Sequence, residues 1–127
     1  MSAEALALLA ALFAAHFLGD FTPLASARMQ EAKAKGAPLG PIATHAAVHA
    51  ALVAAAVAAI AAPAMGLLAA VVALEFASHL ALDWARGRLG ARRPAMGDPS
   101  RQAFWTAVGL DQLGHALVLL VIVALVL

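Results

Sequence analysis

The chain has 127 residues, 65% of them hydrophobic and only 12% charged, with a net charge of +1 and no cysteine. With a mean hydropathy of +0.92, it carries too few polar groups to cover a water-soluble domain, so lipid is its natural solvent. The length fits one domain, the small net charge offers nothing to attract nucleic acid, and the lack of cysteine excludes disulfides, thiolate nucleophiles and cysteine metal sites.

The first apolar segment runs from about Ala3 to Phe21 and stops before Pro23. Residues 1–4 read Met-Ser-Ala-Glu, without the basic start of a secretory leader, and His16 and Asp20 lie inside the segment, so it reads as a retained helix. The connection that follows, Thr22 to Gly40, contains Ser-Ala-Arg-Met-Gln-Glu-Ala-Lys-Ala-Lys-Gly. That pattern predicts a short amphipathic helix on the membrane surface, ended by Gly36. A second segment runs from about Pro41 to Ala62, with Pro41 suited to a first helical turn and Pro63 ending it. An uncharged hairpin leads into the third, about Met65 to Arg86. A basic connection rich in Gly and Pro, Gly87 to Ser100, precedes the fourth, about Arg101 to Leu127, for which Ser100 is the expected N-cap. Each segment has about 20 residues or more, enough to cross a hydrocarbon core of about 30 Å. The predicted fold is all-α: an integral membrane protein whose single domain, residues 1–127, is one bundle of four antiparallel transmembrane helices.

Orientation follows from the basic residues. Arg28, Lys33, Lys35, Arg86, Arg88, Arg92, Arg93 and Arg101 all lie in or beside the first and third connections. The positive-inside rule places both connections in the cytoplasm and both termini outside. Trp84 and Trp105 then sit where interfacial anchors belong.

Ionisable side chains inside lipid are costly and each needs an explanation. Every segment has an i,i+4 pair: His16 and Asp20; His45 and His49; His79 and Asp83, extended by Glu75; Asp111 and His115. Partners four apart share a helical face. The set takes in all 5 histidines and four of the 7 acids. At about 1.5 Å per residue from the cytoplasmic ends, all four pairs overlap in one slab of the inner half of the bilayer. Antiparallel helices would therefore gather nine polar groups at one place.

Nine candidate ligands, His16, Asp20, His45, His49, Glu75, His79, Asp83, Asp111 and His115, exceed the needs of one metal ion. Two divalent transition-metal ions, zinc, iron or manganese, would use most of them, as in carboxylate-bridged helical bundles. Glu75, the deepest, and Asp111 are the candidate catalytic acids or bases. Gln112 lies about 100° round from Asp111 and is expected to touch a neighbour instead of a metal. Small residues beside the ligands, Gly19, Ala46, Ser78 and Gly114, would permit close helix packing. No nucleophilic serine is evident, since Ser78 adjoins His79 on another face. Two blander readings fit the same residues: polar contacts that only lock helices together, and haem ligation, against which the many acids argue.

The stretches "AHFLGDF" at 15–21, "THAAVHA" at 44–50, "EFASHLALD" at 75–83 and "DQLGH" at 111–115 resemble a bacterial family of small membrane proteins, domain of unknown function 3307. The resemblance samples all four segments. It implies a bacterial inner membrane location, with periplasmic termini on the orientation above, and it supports the ligand set. Kindred membrane families carry the label metal-dependent hydrolase. Where family members often have Gln shortly after the first Asp, this chain has Leu24; where they often have Lys after the third motif, it has Arg86.

The leading functional expectation is a membrane-embedded metal-dependent hydrolase. The metal would activate water against an ester or phosphoester, a lipid-linked one included, whose head enters from the cytoplasmic interface. The alternatives are a metal-ion or proton carrier, and an accessory subunit of a larger membrane complex. Against a carrier, the outer half of each segment is nearly pure Ala, Val, Leu and Ile, which favours a one-sided cavity. Membrane lipids are the expected surroundings, and a homo-oligomer or larger complex stays open.

Overall fold

The computed structural model describes residues 2–127, which form five α-helices and one short 3-10 turn. Helix α1 spans Ala3–Phe21, α2 Ala27–Lys35, α3 Leu39–Ile60, α4 Met65–Arg92 and α5 Gln102–Val126, with the 3-10 turn at Pro94–Met96. All but α2 are long and apolar enough to cross a membrane. The starts and stops have local chemical causes. The Ser2 hydroxyl accepts from the Ala5 amide at 3.0 Å and opens α1. The Ser26 hydroxyl accepts from the Met29 amide and opens α2, which Gly36 closes in the left-handed conformation at φ 63°. Helix α3 ends where the amides of Ala61 and Ala62 both turn back to the Val57 carbonyl, and Pro63 prevents continuation.

Two boundaries differ from the sequence expectation. Helix α4 does not stop at Arg86 but continues to Arg92, through two glycines that read as loop. Gly87 is there for closeness, not flexibility: a methyl group on it would overlap the Lys33 carbonyl and the Gly36 backbone. Helix α5 begins after Arg101, and Ser100 does not cap it. The Ser100 hydroxyl and amide both donate to the Asp98 carboxylate, at 2.7 and 2.9 Å. These bonds form a turn and hold the Asp98 carboxyl below its ordinary pKa.

Helix α3 packs on α1 and α4, and α5 packs on α4 and α1, so the four long helices surround a common interior. That interior has two layers. The apolar layer holds Leu8, Leu12, Val53, Val57, Val71, Leu119 and Ile122, each at most 1% exposed. The polar layer holds the histidines and carboxylates. Helices α1 and α4 pass the apolar layer first and the polar layer second, whereas α3 and α5 pass them in reverse order. Large side chains such as Phe13, Phe17, Leu110 and Leu113 point outward, as lipid-facing residues do.

Helix α2 does not lie apart as a surface helix. It packs on α3 and α4 at the polar end of the bundle, with Ala32 buried. The contact between Gly36 and Gly87 brings its backbone against α4. Alanine at position 87 should therefore push α2 away, costing about 1–3 kcal/mol as overpacking does. The expected outcome for Gly87→Ala in detergent is a lower melting temperature and faster labelling of Lys33 by an amine-reactive probe. Unchanged melting and labelling would show that this contact does not hold α2.

Candidate metal centre

One turn beyond the apolar layer, every long helix turns its polar pair inward, because residues four apart extend the same buried stripe. On α4 the stripe reads Val71, Glu75, His79, Asp83, Gly87, all buried. His45, His49 and His79 are fully buried, and His16, Asp20, Glu75, Asp83 and His115 nearly so. His79 is the hub. Its ring centroid lies 3.8 Å from that of His49, 4.2 Å from His115, 5.2 Å from His45 and 5.8 Å from His16. A methyl group on Gly19 would overlap the His49 ring. Only glycine lets α1 approach that ring while it remains stacked on His79.

Two carboxylates organise the layer. Asp20 Oδ1 lies 2.9 Å from His45 Nε2 and 3.4 Å from His49 Nε2, and its Oδ2 lies 3.3 Å from His16 Nε2. Asp83 Oδ2 lies 3.5 Å from His79 Nε2 and 3.6 Å from His45 Nε2, and its Oδ1 lies 3.5 Å from His115 Nε2. Three overlapping groups of possible ligands result, each with its ligand atoms within 4.8 Å of one another: Asp20, His45, His49 and His79; His16, His79 and His115; Asp83, Asp111 and His115. Eight of the nine residues singled out from the sequence thus lie in at least one group.

Glu75 is the exception. Its Oε1 sits 3.2 Å from His79 Nδ1, on the edge of the ring away from Asp83. A bond donated from Nδ1 to Glu75 would leave the Nε2 lone pair directed at the other candidate ligands, the arrangement a carboxylate gives behind a metal-binding histidine. Gln112 contacts a neighbour, its Oε1 lying 3.3 Å from His16 Nε2, while its Nε2 donates to Asp111 Oδ2.

Lys33 was not among the residues picked out from the sequence. Its ammonium lies 2.7 Å from Asp20 Oδ1, 2.9 Å from His45 Nε2 and 3.4 Å from Asp83 Oδ2. Gln30, one turn earlier on α2, donates to the Asp20 carbonyl. Amphipathic spacing marks a polar face but does not say whether water or a polar site meets it.

Several atoms in the layer have no hydrogen-bond partner among the described residues. They include His49 Nε2, His79 Nε2, His115 Nε2, both Asp83 oxygens and Asp111 Oδ1. An unsatisfied buried polar group costs about 1–3 kcal/mol, and folded proteins are only marginally stable. Lone pairs of imidazole and carboxylate aimed at one another are the donor set that a divalent cation satisfies.

Residues 8–127 match the family described as protein of unknown function (DUF3307). The chain belongs to the DUF3307 family. No curated protein and no solved structure was found to match it. In this DUF3307 chain the layer opens toward α2. A cavity of about 330 Å³, bordered by Asp20, Lys33, Asp83, Arg86 and Asp111, leads from it to the surface beside α2.

Proposed function

We propose that this DUF3307 protein is a membrane-embedded metal-binding protein that hydrolyses an ester or phosphoester entering from the α2 end of the bundle. The observation that carries the proposal is the buried group of Asp20, His45, His49 and His79, whose ligand atoms lie within 4.8 Å of one another. The group of Asp83, Asp111 and His115 shares no residue with it, so the two together suit a dinuclear centre of zinc, iron or manganese. His16 is the remaining ligand, and Glu75 orients His79. A bound cation would supply electrophilic activation of the substrate and of the attacking water. Of the two acids considered as bases, Asp111 borders the cavity and Glu75 does not, which favours Asp111 for taking up a proton.

The apolar layer supports hydrolysis over transport. Leu8, Leu12, Val53, Val57, Val71, Leu119 and Ile122 fill the interior beyond the polar layer, which among the described residues favours access from the α2 side. For orientation we adopt the positive-inside reading, with α2 and the α4–α5 connection cytoplasmic and both termini periplasmic. Single cysteines at position 3 or 127 should then react with an impermeant thiol reagent added to intact cells. A cysteine replacing Lys35, whose side chain is 65% exposed, should not. The opposite pattern would invert the orientation.

Protein purified without chelator should carry one or two transition-metal ions per chain. His49→Ala and His79→Ala should each lower that content sharply, whereas Glu31→Gln, on the exposed face of α2, should not. EDTA should lower the melting temperature of the wild type, because metal bound only by the assembled bundle stabilises it. Preparations with no stoichiometric metal, none gained on reconstitution and melting indifferent to EDTA would reduce the layer to a hydrogen-bonded polar core.

A further inference from the structure

The cavity beside α2 has a charge problem that its geometry resolves. Three carboxylates, Asp20, Asp83 and Asp111, border it, together with two cations, Lys33 and Arg86. Counting only these lining groups, the formal balance is one negative charge, which does not favour an anion. A single divalent cation on those carboxylates reverses the sign.

The two basic residues differ in their engagement. Lys33 is paired with Asp20 and Asp83 and lies where a cation shared by those carboxylates would lie. Arg86, half-buried on α4, makes no ion pair among the described residues. Metal at Asp20 and Asp83 would take over the partners of Lys33 and free its ammonium for the cavity, beside a guanidinium already unpaired. Guanidinium and ammonium groups are the side chains that hold phosphoryl oxygens.

We propose that Lys33 and Arg86 form a subsite for a phosphoryl group, which fills only when the centre beneath it holds a divalent cation. The proposal rests on the metal reading above and names the substrate class of that site. The cavity, at about 330 Å³, is at the small end of ligand pockets and suits a headgroup better than a whole lipid. Phe21 borders it and is 63% exposed, with Phe17 stacked on it at 5.8 Å and 56% exposed. These rings offer an apolar flank on which the tail of a lipid-linked phosphate can lie.

The test uses full-length protein in detergent, either as purified with metal or stripped with EDTA, and titrated with methylphosphonate. Metal-loaded wild type should bind the phosphonate at least about tenfold more tightly than the stripped form. Arg86→Met should keep its metal content and lose about tenfold in phosphonate affinity, as expected for loss of a charge-assisted contact. Lys33→Met should keep or gain metal, since a competing cation is removed, and should also bind the phosphonate more weakly. Equal phosphonate binding with and without metal, or by metal-loaded Arg86→Met and wild type, overturns the subsite while leaving the metal reading intact. Failure to hold metal at all removes both. In nanodiscs, melting of the metal-loaded protein raised by phosphatidic acid over phosphatidylcholine, and lost in Arg86→Met, assigns the phosphoryl group to a lipid. A response to methylphosphonate alone assigns it to a soluble ester.

Discussion

Carboxylates and imidazoles held away from water are unfavourable unless charge is matched and lone pairs are satisfied. This constraint shapes the whole bundle. It explains why the polar residues occupy a single layer instead of being scattered, since each can then serve as partner to others. Asp20 faces three imidazoles and an ammonium, and Asp83 faces the same ammonium and three imidazoles, that of His45 in common. It also explains the division of labour along the helices. The apolar layer supplies packing that needs no partner, and the polar layer holds every buried ionisable group among the described residues.

The close approaches are consequences of the same demand. Gly19 admits His49 against α1, and Gly87 with Gly36 admits α2 against α4. The second approach matters most, because α2 brings in the one lysine that reaches both organising carboxylates. Helix α2 is thus a lid on the polar layer, with Lys33 facing inward and the Lys35–Glu31 pair on its solvent side. A long helix carrying Gly87 in its interior loses some intrinsic helical preference. Here the loss is offset by the contact that only glycine permits.

Much of this was legible in the sequence. Apolar runs of about 20 residues announce helices for lipid, and the four i,i+4 pairs announce a shared face. Proline and glycine marked the ends of α2 and α3 well, because each acts through local geometry. Three features were not legible, for physical reasons. Gly87 looks like a loop residue until the neighbouring backbone is known. Ser100 can cap a helix or tie a turn, and Asp98 two residues earlier decides for the turn. Lys33 resembles any basic residue on an amphipathic helix, and only the docking of α2 distinguishes a buried partner from a topology signal. The position of Glu75 shows the same limit: its spacing matches the other candidate ligands, and only the structure places its carboxylate beside His79 Nδ1.

The central claim is that the polar layer is a place for metal and not only a hydrogen-bonded core. Anomalous diffraction from crystals grown without chelator, collected on both sides of the absorption edge of the metal found, tests it most directly. The account predicts a peak among Asp20, His45, His49 and His79, with the Lys33 ammonium displaced from Asp20. Stoichiometric metal found only at the surface, or an ordered polar layer with no anomalous peak in protein that retains its native fold and metal supply, would contradict it.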